Sequence, residues 1–202
     1  HQPGLTVAPI QVVSGASAFC ETHFEDAVVS VDDVIGGVDR GWTVGKRLLQ
    51  FERSTHAGIN ISGSQGGRSE ESKMPEWVGD YVPKVSGKLS DPALRKWLTE
   101  FEMNSHAQRL TQRRAIEELS SRAPGFTSSA VKLTNALNIQ NGDELLVAAM
   151  GHQGLRWDVQ TADQQELAVL QKWLYQKSLT IAGGTKEVQL NIIAKRVLGL
   201  PD

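Results

Sequence analysis

Cysteine is nearly missing from this 202-residue chain, which has only Cys20. An intrachain disulfide is therefore impossible, which excludes the small disulfide-stapled folds and fits a reducing, cytoplasmic setting. Long apolar runs are missing too: none approaches the roughly 18 residues of a membrane-spanning helix. Neither sign of charge is in excess, with 21 Lys and Arg against 23 Asp and Glu. That balance leaves no footprint for nucleic acid or an anionic membrane, so neither is an expected partner. His152 has no second His or Cys at ligand spacing, and no metal is expected. Trp77, Trp97, Trp157 and Trp173 read as packing residues, because no basic groove accompanies them. The opening His1-Gln2-Pro3-Gly4 lacks the charged and apolar regions of a signal peptide. Strand-like sequence begins almost at once, so the chain reads as a piece of a longer one.

What is present changes character along the chain. Residues 5 to 30 read as β-structure: a run from Leu5 to Val13, a turn at Ser14-Gly15, the alternating Phe19 to Phe24, and a short strand at 27–29. Strands this short and few require more sheet to cover a core. From Gly41 the period becomes helical, with Gly41, Gly45, Leu48, Leu49, Glu52, His56, Ile59 and Gly63 on one face. Residues 66 to 90 carry Gly, Ser, Pro and charge and read as a long loop with little regular structure. Its Trp77, Val78, Tyr81 and Val82 suggest that part of it packs back on the body.

A second helix opens at Ser90-Asp91-Pro92 and carries Leu94, Trp97, Leu98, Phe101 and His106 towards Ile116 and Leu119, with a break at Pro124-Gly125. A third runs from about Thr127 to Met150, and a fourth begins near Thr161-Ala162-Asp163. The last follows Gly183-Gly184-Thr185 and runs to Leu198, ahead of Gly199 and Pro201. The expected fold is mainly α: an antiparallel four-helix bundle preceded by a few β-strands. Residues 1–35 would be the strands of an incomplete β-domain, and 36–202 the bundle.

Glu52 lies on the apolar stripe of the first helix. A carboxylate there is expected to be partly desolvated, which raises its pKa and makes it a better base. The plainer reading is an ion pair or hydrogen bond at the stripe edge, to His56 or another helix. The run Thr180-Ile181-Ala182-Gly183-Gly184-Thr185 would let backbone amides approach an anion such as a pyrophosphate, or would simply join two helices. Gly151-His152-Gln153-Gly154 is either a second close-approach loop or a turn, and Arg113-Arg114 reads as a solvated helix face.

Together these segments resemble the acyl-CoA dehydrogenase family. The run from Thr180 to Pro201 is similar to that family's C-terminal signature along its whole length. Gly4 to Val7, Phe19 to Asp26 and Gly36 to Trp42 resemble the end of its β-domain and the lead into its helical bundle. The resemblance implies the C-terminal half of a three-domain flavoenzyme. Such an enzyme uses FAD to dehydrogenate an acyl-CoA thioester between Cα and Cβ, a step of fatty acid β-oxidation. Its electrons pass to an electron-transfer flavoprotein.

In many members the catalytic base lies just before the Gly-Thr of the closing signature, where this chain has Gly183. In another branch it lies in a Glu-Arg pair on the first bundle helix, which Glu52-Arg53 matches. The resemblance thus implies Glu52 as base, with Arg53 among the substrate-binding surroundings. It also places Gly184, Thr185, Glu187 and Gln189 around FAD. Gly151 and Gly154 match a loop that reaches a neighbouring subunit's FAD, although Ala148 and His152 depart from its pattern. The family's Arg-x-x-Phe-Gly motif after the first bundle helix is absent. The chain is expected in a homo- or hetero-oligomer, a dimer or tetramer. The rival expectation is a non-catalytic bundle subunit that completes a partner's flavin site, and a related oxidase is a third.

Overall fold

The computed structural model describes residues 2–56, 72–121, 127–158 and 160–201. The expected stripe positions Ile59 and Gly63 and the break at Pro124-Gly125 lie outside the described residues, as do the side chains of Arg53 and His56. The chain divides into two compact units, His1–Gln50 and Phe51–Asp202.

In the first unit, β1 (Leu5–Ile10) and β2 (Phe19–Phe24) pair antiparallel, with Leu5 opposite Phe24 and Ile10 opposite Phe19. The amide of Gly15 donates to the Val12 carbonyl at 2.9 Å, which closes the link at the expected turn. The expected strand at 27–29 does not form. Gly4 and Glu25 carry the pairing one bond further at 2.8 Å, Asp26 then adopts a φ of +50°, and the chain leaves the sheet. The first helix, α1 (Gly41–His56), begins where the period change predicts.

Two features of the second unit correct the expected 66–90 loop. Residues Met74–Tyr81 form α2, and β3 (Lys84–Val85) pairs with β4 (Lys88–Leu89) in a tight hairpin. Val78 and Val82 do pack into the body, at 0 % and 6 % exposure, while Trp77 stays at the surface. They join Met74, Leu89, Phe101, Leu145, Leu146 and Ala149 in one core cluster.

The bundle is organised around α4 (Thr127–Met150), which packs against α2, α3 (Pro92–Ser120), α5 (Gln164–Gln176) and α6 (Lys186–Ile192). Asp91 caps α3 by accepting from the amides of Ala93 and Leu94 at 2.7 and 3.0 Å. The α3–α4 pairing is antiparallel, as a ladder of side-chain bonds shows. Trp97 Nε1 donates to Asn141 Oδ1 at 2.8 Å, Asn138 Nδ2 to Ser105 Oγ at 2.9 Å, and Gln108 Nε2 to the Val131 carbonyl at 3.2 Å. The buried line on α3 runs Phe101, Gln108, Ala115, a seven-residue step, so His106 and Ile116 point outwards instead of inwards. The last helix ends earlier than its apolar pattern suggests. It widens after Ile192 into a single π-turn, with the Leu198 amide donating to the Ile193 carbonyl at 3.0 Å. Among the described residues, no helix is long and apolar enough to cross a membrane.

Candidate functional site

The connection between α5 and α6 is held by side chains from both α4 and α6. After a 3-10 turn over Lys177–Thr180, Gly183 and Gly184 take φ values of +67° and +103°, a region open to glycine at little cost. A Cβ on Gly184 would lie 2.6 Å from Gln189 Nε2, so a side chain there would also displace that buried amide. Thr185 then caps α6, its Oγ1 accepting from the Val188 amide at 3.3 Å.

Three buried or half-buried polar side chains fasten this connection from within. Gln189 is fully buried, and its Nε2 donates to the Gly183 carbonyl at 3.2 Å. Lys132 of α4 is 3 % exposed, and its Nζ donates to the carbonyls of Gly184 at 2.5 Å and Leu179 at 3.3 Å. Gln140, two turns along α4, donates to the Gln176 carbonyl at 2.9 Å and to Thr180 Oγ1 at 3.3 Å. Burial pushes the Lys132 ammonium below its ordinary range, because the desolvated charge is only partly compensated by carbonyl oxygens. The sequence reading passed over Lys132. Its signal was a cation on an apolar stripe with Ser129, Leu133 and Ala136, a place where lysine is rarely buried without partners.

The expected site residues fall in three places. Gly184, Thr185 and Gln189 come together in the α5–α6 connection. Glu187 lies in the first turn of α6 and is exposed. Among the described residues, the amides of Gly184 and Thr185 donate no hydrogen bond, which fits them to oxygen acceptors of a bound group. The turn thus fits a nucleotide cofactor, with Gln189 working on it from the inside. Its Oε1 is buried with no hydrogen-bond partner among the described residues.

Gly151 and Gly154 lie at the opposite end of α4. The 18 residues from Lys132 to Met150 separate that loop from the α5–α6 turn by about 27 Å along the helix. One copy of the chain therefore does not bring the two glycine loops to one site. Glu52 lies near the end of α1 and is exposed, where desolvation was expected. Its stripe is open as well among the described residues, with Leu48 and Leu49 of the same helix 66 % and 43 % exposed. Among the described residues, no group of three metal-ligating side chains occurs.

Residues 39–198 match the family described as acyl-CoA dehydrogenase, C-terminal domain. The chain belongs to the acyl-CoA dehydrogenase family. It is similar to the acyl-CoA dehydrogenase IpdE1 of Mycobacterium tuberculosis, with 32 % identity over 202 residues, covering 99 % of this chain and 49 % of that protein. The chain spans about half the length of the curated relatives it matches. Among solved structures, the Tcur3481-Tcur3483 steroid ACAD superposes with a TM-score of 0.77 at 23 % identity, over 99 % of this chain and 50 % of that one. The ChsE4-ChsE5 complex from Mycobacterium tuberculosis gives 0.73 at 20 %, over 100 % and 51 %. These likenesses establish the mainly helical bundle fold.

Proposed function

We propose that this chain is the helical half of a FAD-dependent acyl-CoA dehydrogenase, acting on the Cα–Cβ bond of an acyl-CoA thioester and passing electrons to an electron-transfer flavoprotein. The observation that carries the reading is the family match over 39–198, joined to the glycine turn and its undonated amides. Residues 1–35 supply the last strands of a β-domain, and 36–202 the bundle.

When bound, FAD supplies the acceptor for the hydride that leaves Cβ. The chain's own residues do the rest. Glu52 takes the Cα proton onto a carboxylate oxygen, a role supported by its place in the Glu52-Arg53 pair on the first bundle helix. Arg53 belongs to the substrate surroundings. The amides of Gly184 and Thr185 and the side chain of Glu187 face the flavin nucleotide, and Gln189 supports them. The separation along α4 suits a site shared between subunits, with Gly151 and Gly154 serving the flavin of a neighbour.

A visible spectrum of the full-length protein tests the reading. Octanoyl-CoA should bleach the oxidised flavin bands, and a steroid-derived acyl-CoA belongs on the same panel because one fold neighbour is described as a steroid ACAD. Glu52→Gln should keep the flavin but lose about 10²–10⁴-fold in rate, the usual worth of a general base. Full turnover in that variant would remove Glu52 as base.

A second reading is favoured by Gly183, which stands where many members carry the base, and by the absent Arg-x-x-Phe-Gly motif. On that reading the chain is a non-catalytic subunit completing a partner's site. It predicts a flavin that appears only in the mixed complex.

A further inference from the structure

We propose that Lys132 is the positioning residue of the Gly183–Thr185 turn: its ammonium, bonded to the carbonyls of Leu179 and Gly184, orients the turn's peptide planes towards a flavin nucleotide. The inference rests on the flavoenzyme reading above, and the geometry behind it is independent of the family.

A trans peptide holds its N–H opposite its C=O, and the chain has no cis bonds among the described residues. The Gly183 carbonyl points at Gln189 Nε2, so the Gly184 amide in the same peptide points away from it. The Gly184 carbonyl points at Lys132 Nζ, so the Thr185 amide points away from α4. Two buried donors thus hold two successive peptides by their carbonyls, and the amides on the far sides of those peptides have no partner among the described residues.

Among the described residues, nothing else explains a lysine at that place. Burying an ammonium is costly, and an apolar residue of similar length would avoid that cost. Lys132 makes no ion pair with an acidic side chain among the described residues. Among the described residues, its ammonium donates to main-chain oxygens of the α5–α6 connection only. Glycines at 183 and 184 give the turn freedom to relax, and the ammonium removes that freedom at one end while Gln189 removes it at the other.

The test uses the full-length protein with Lys132→Met, which keeps the apolar stem and removes the donors. Leu145→Ala serves as the control, a fully buried core truncation about 20 Å away along α4. Flavin affinity is titrated on the apoprotein, and amide exchange is followed over 178–185. Losing a charge-assisted hydrogen bond should weaken flavin binding by about tenfold or more in Lys132→Met. Exchange over 178–185 should quicken with it. Leu145→Ala should lower the melting temperature without either change. Lys132→Gln, which retains a donor, should recover part of the flavin affinity.

A Lys132→Met protein with wild-type flavin affinity overturns the proposal, even if its exchange or melting temperature changes, because the lysine is then a structural tie only. A wild-type protein that takes up no flavin removes the flavoenzyme reading instead. The exchange comparison then decides whether Lys132 holds the turn: protection lost in Lys132→Met alone supports the assignment, and unchanged protection overturns it.

Discussion

Two carboxylates of the bundle should respond to pH in opposite directions, and each does so for a local reason. Glu118, near the end of α3, accepts from the Thr127 hydroxyl at 2.6 Å and the Thr127 amide at 3.3 Å, and it pairs with Arg114 at 3.1 Å. The Thr127 hydroxyl bond contributes most to holding its carboxyl below the ordinary 4.5. The unfolded chain then binds the extra proton, so this stabilisation is complete above about pH 4.5 and is lost as pH falls through the folded value. Glu118→Gln should cost about 1 kcal/mol at pH 7 and progressively less below pH 4.5, read from urea midpoints.

Asp143 of α4 is the reverse. Burial pushes its carboxyl above the ordinary 3.8, and Lys172 at 3.3 Å offsets this only in part. Its Oδ2 is buried with no hydrogen-bond partner among the described residues. Here the folded chain binds the extra proton, so stability falls as pH rises from 3.8 through the folded value. Asp143→Asn should therefore stabilise at pH 7, with the gain fading towards pH 4. Neither behaviour was legible in the sequence, because Glu118 depends on where the start of α4 meets α3 and Asp143 on which face of α4 meets α5. The same holds for Lys132, where the stripe was visible and its partner in the α5–α6 turn was not.

At the scale of elements, capping chemistry made the helix starts legible. Asp91, Asp163 and Thr185 each accept from amides of the first turn, and each stands where the pattern places a start. The missed elements were short. Pro75 in the first turn of α2 was a usable signal. Ser86 and Gly87, both at positive φ between Val85 and Lys88, form the kind of two-residue link that hairpins favour. The Gly, Ser and charge around them masked both.

Two glycines in these elements should answer alanine differently. A Cβ on Gly142 of α4 would lie 2.7 Å from Phe101 Cε2 and 3.3 Å from Met74 Cε, inside the core cluster. Overpacking costs about 1–3 kcal/mol and helix propensity returns about 1, so Gly142→Ala should destabilise by roughly 1 kcal/mol. A Cβ on Gly79 of α2 would meet only the end of the Lys84 side chain, at 3.1 Å. That side chain can swing aside, so Gly79→Ala should stabilise by about 0.5–1 kcal/mol. Denaturant midpoints of the two variants, measured side by side, check both.

At the scale of the whole chain, apolar surface is distributed very unevenly. In the first unit Ser14 is the only described residue that is buried, whereas Phe24, Val28 and Trp42 are 74 %, 82 % and 74 % exposed. Two strands with no covering layer are marginal by themselves, and an apolar surface of this kind marks an interface. The second unit has its own core, built on α2, α3 and α4. The 202 residues alone should therefore exchange rapidly over 2–40 and slowly through α3 and α4, with strong binding of a hydrophobic dye. In the full-length protein, or in a complex with a partner subunit, residues 2–40 should become protected and dye binding should fall. Protection gained from the rest of the chain would assign that surface to a completed β-domain. Protection gained only on mixing with a second protein would assign it to a heteromer. If neither protects it, the apolar residues of 2–40 are not an interface, and the shared-site arrangement would then rest on the separation of the two glycine loops alone.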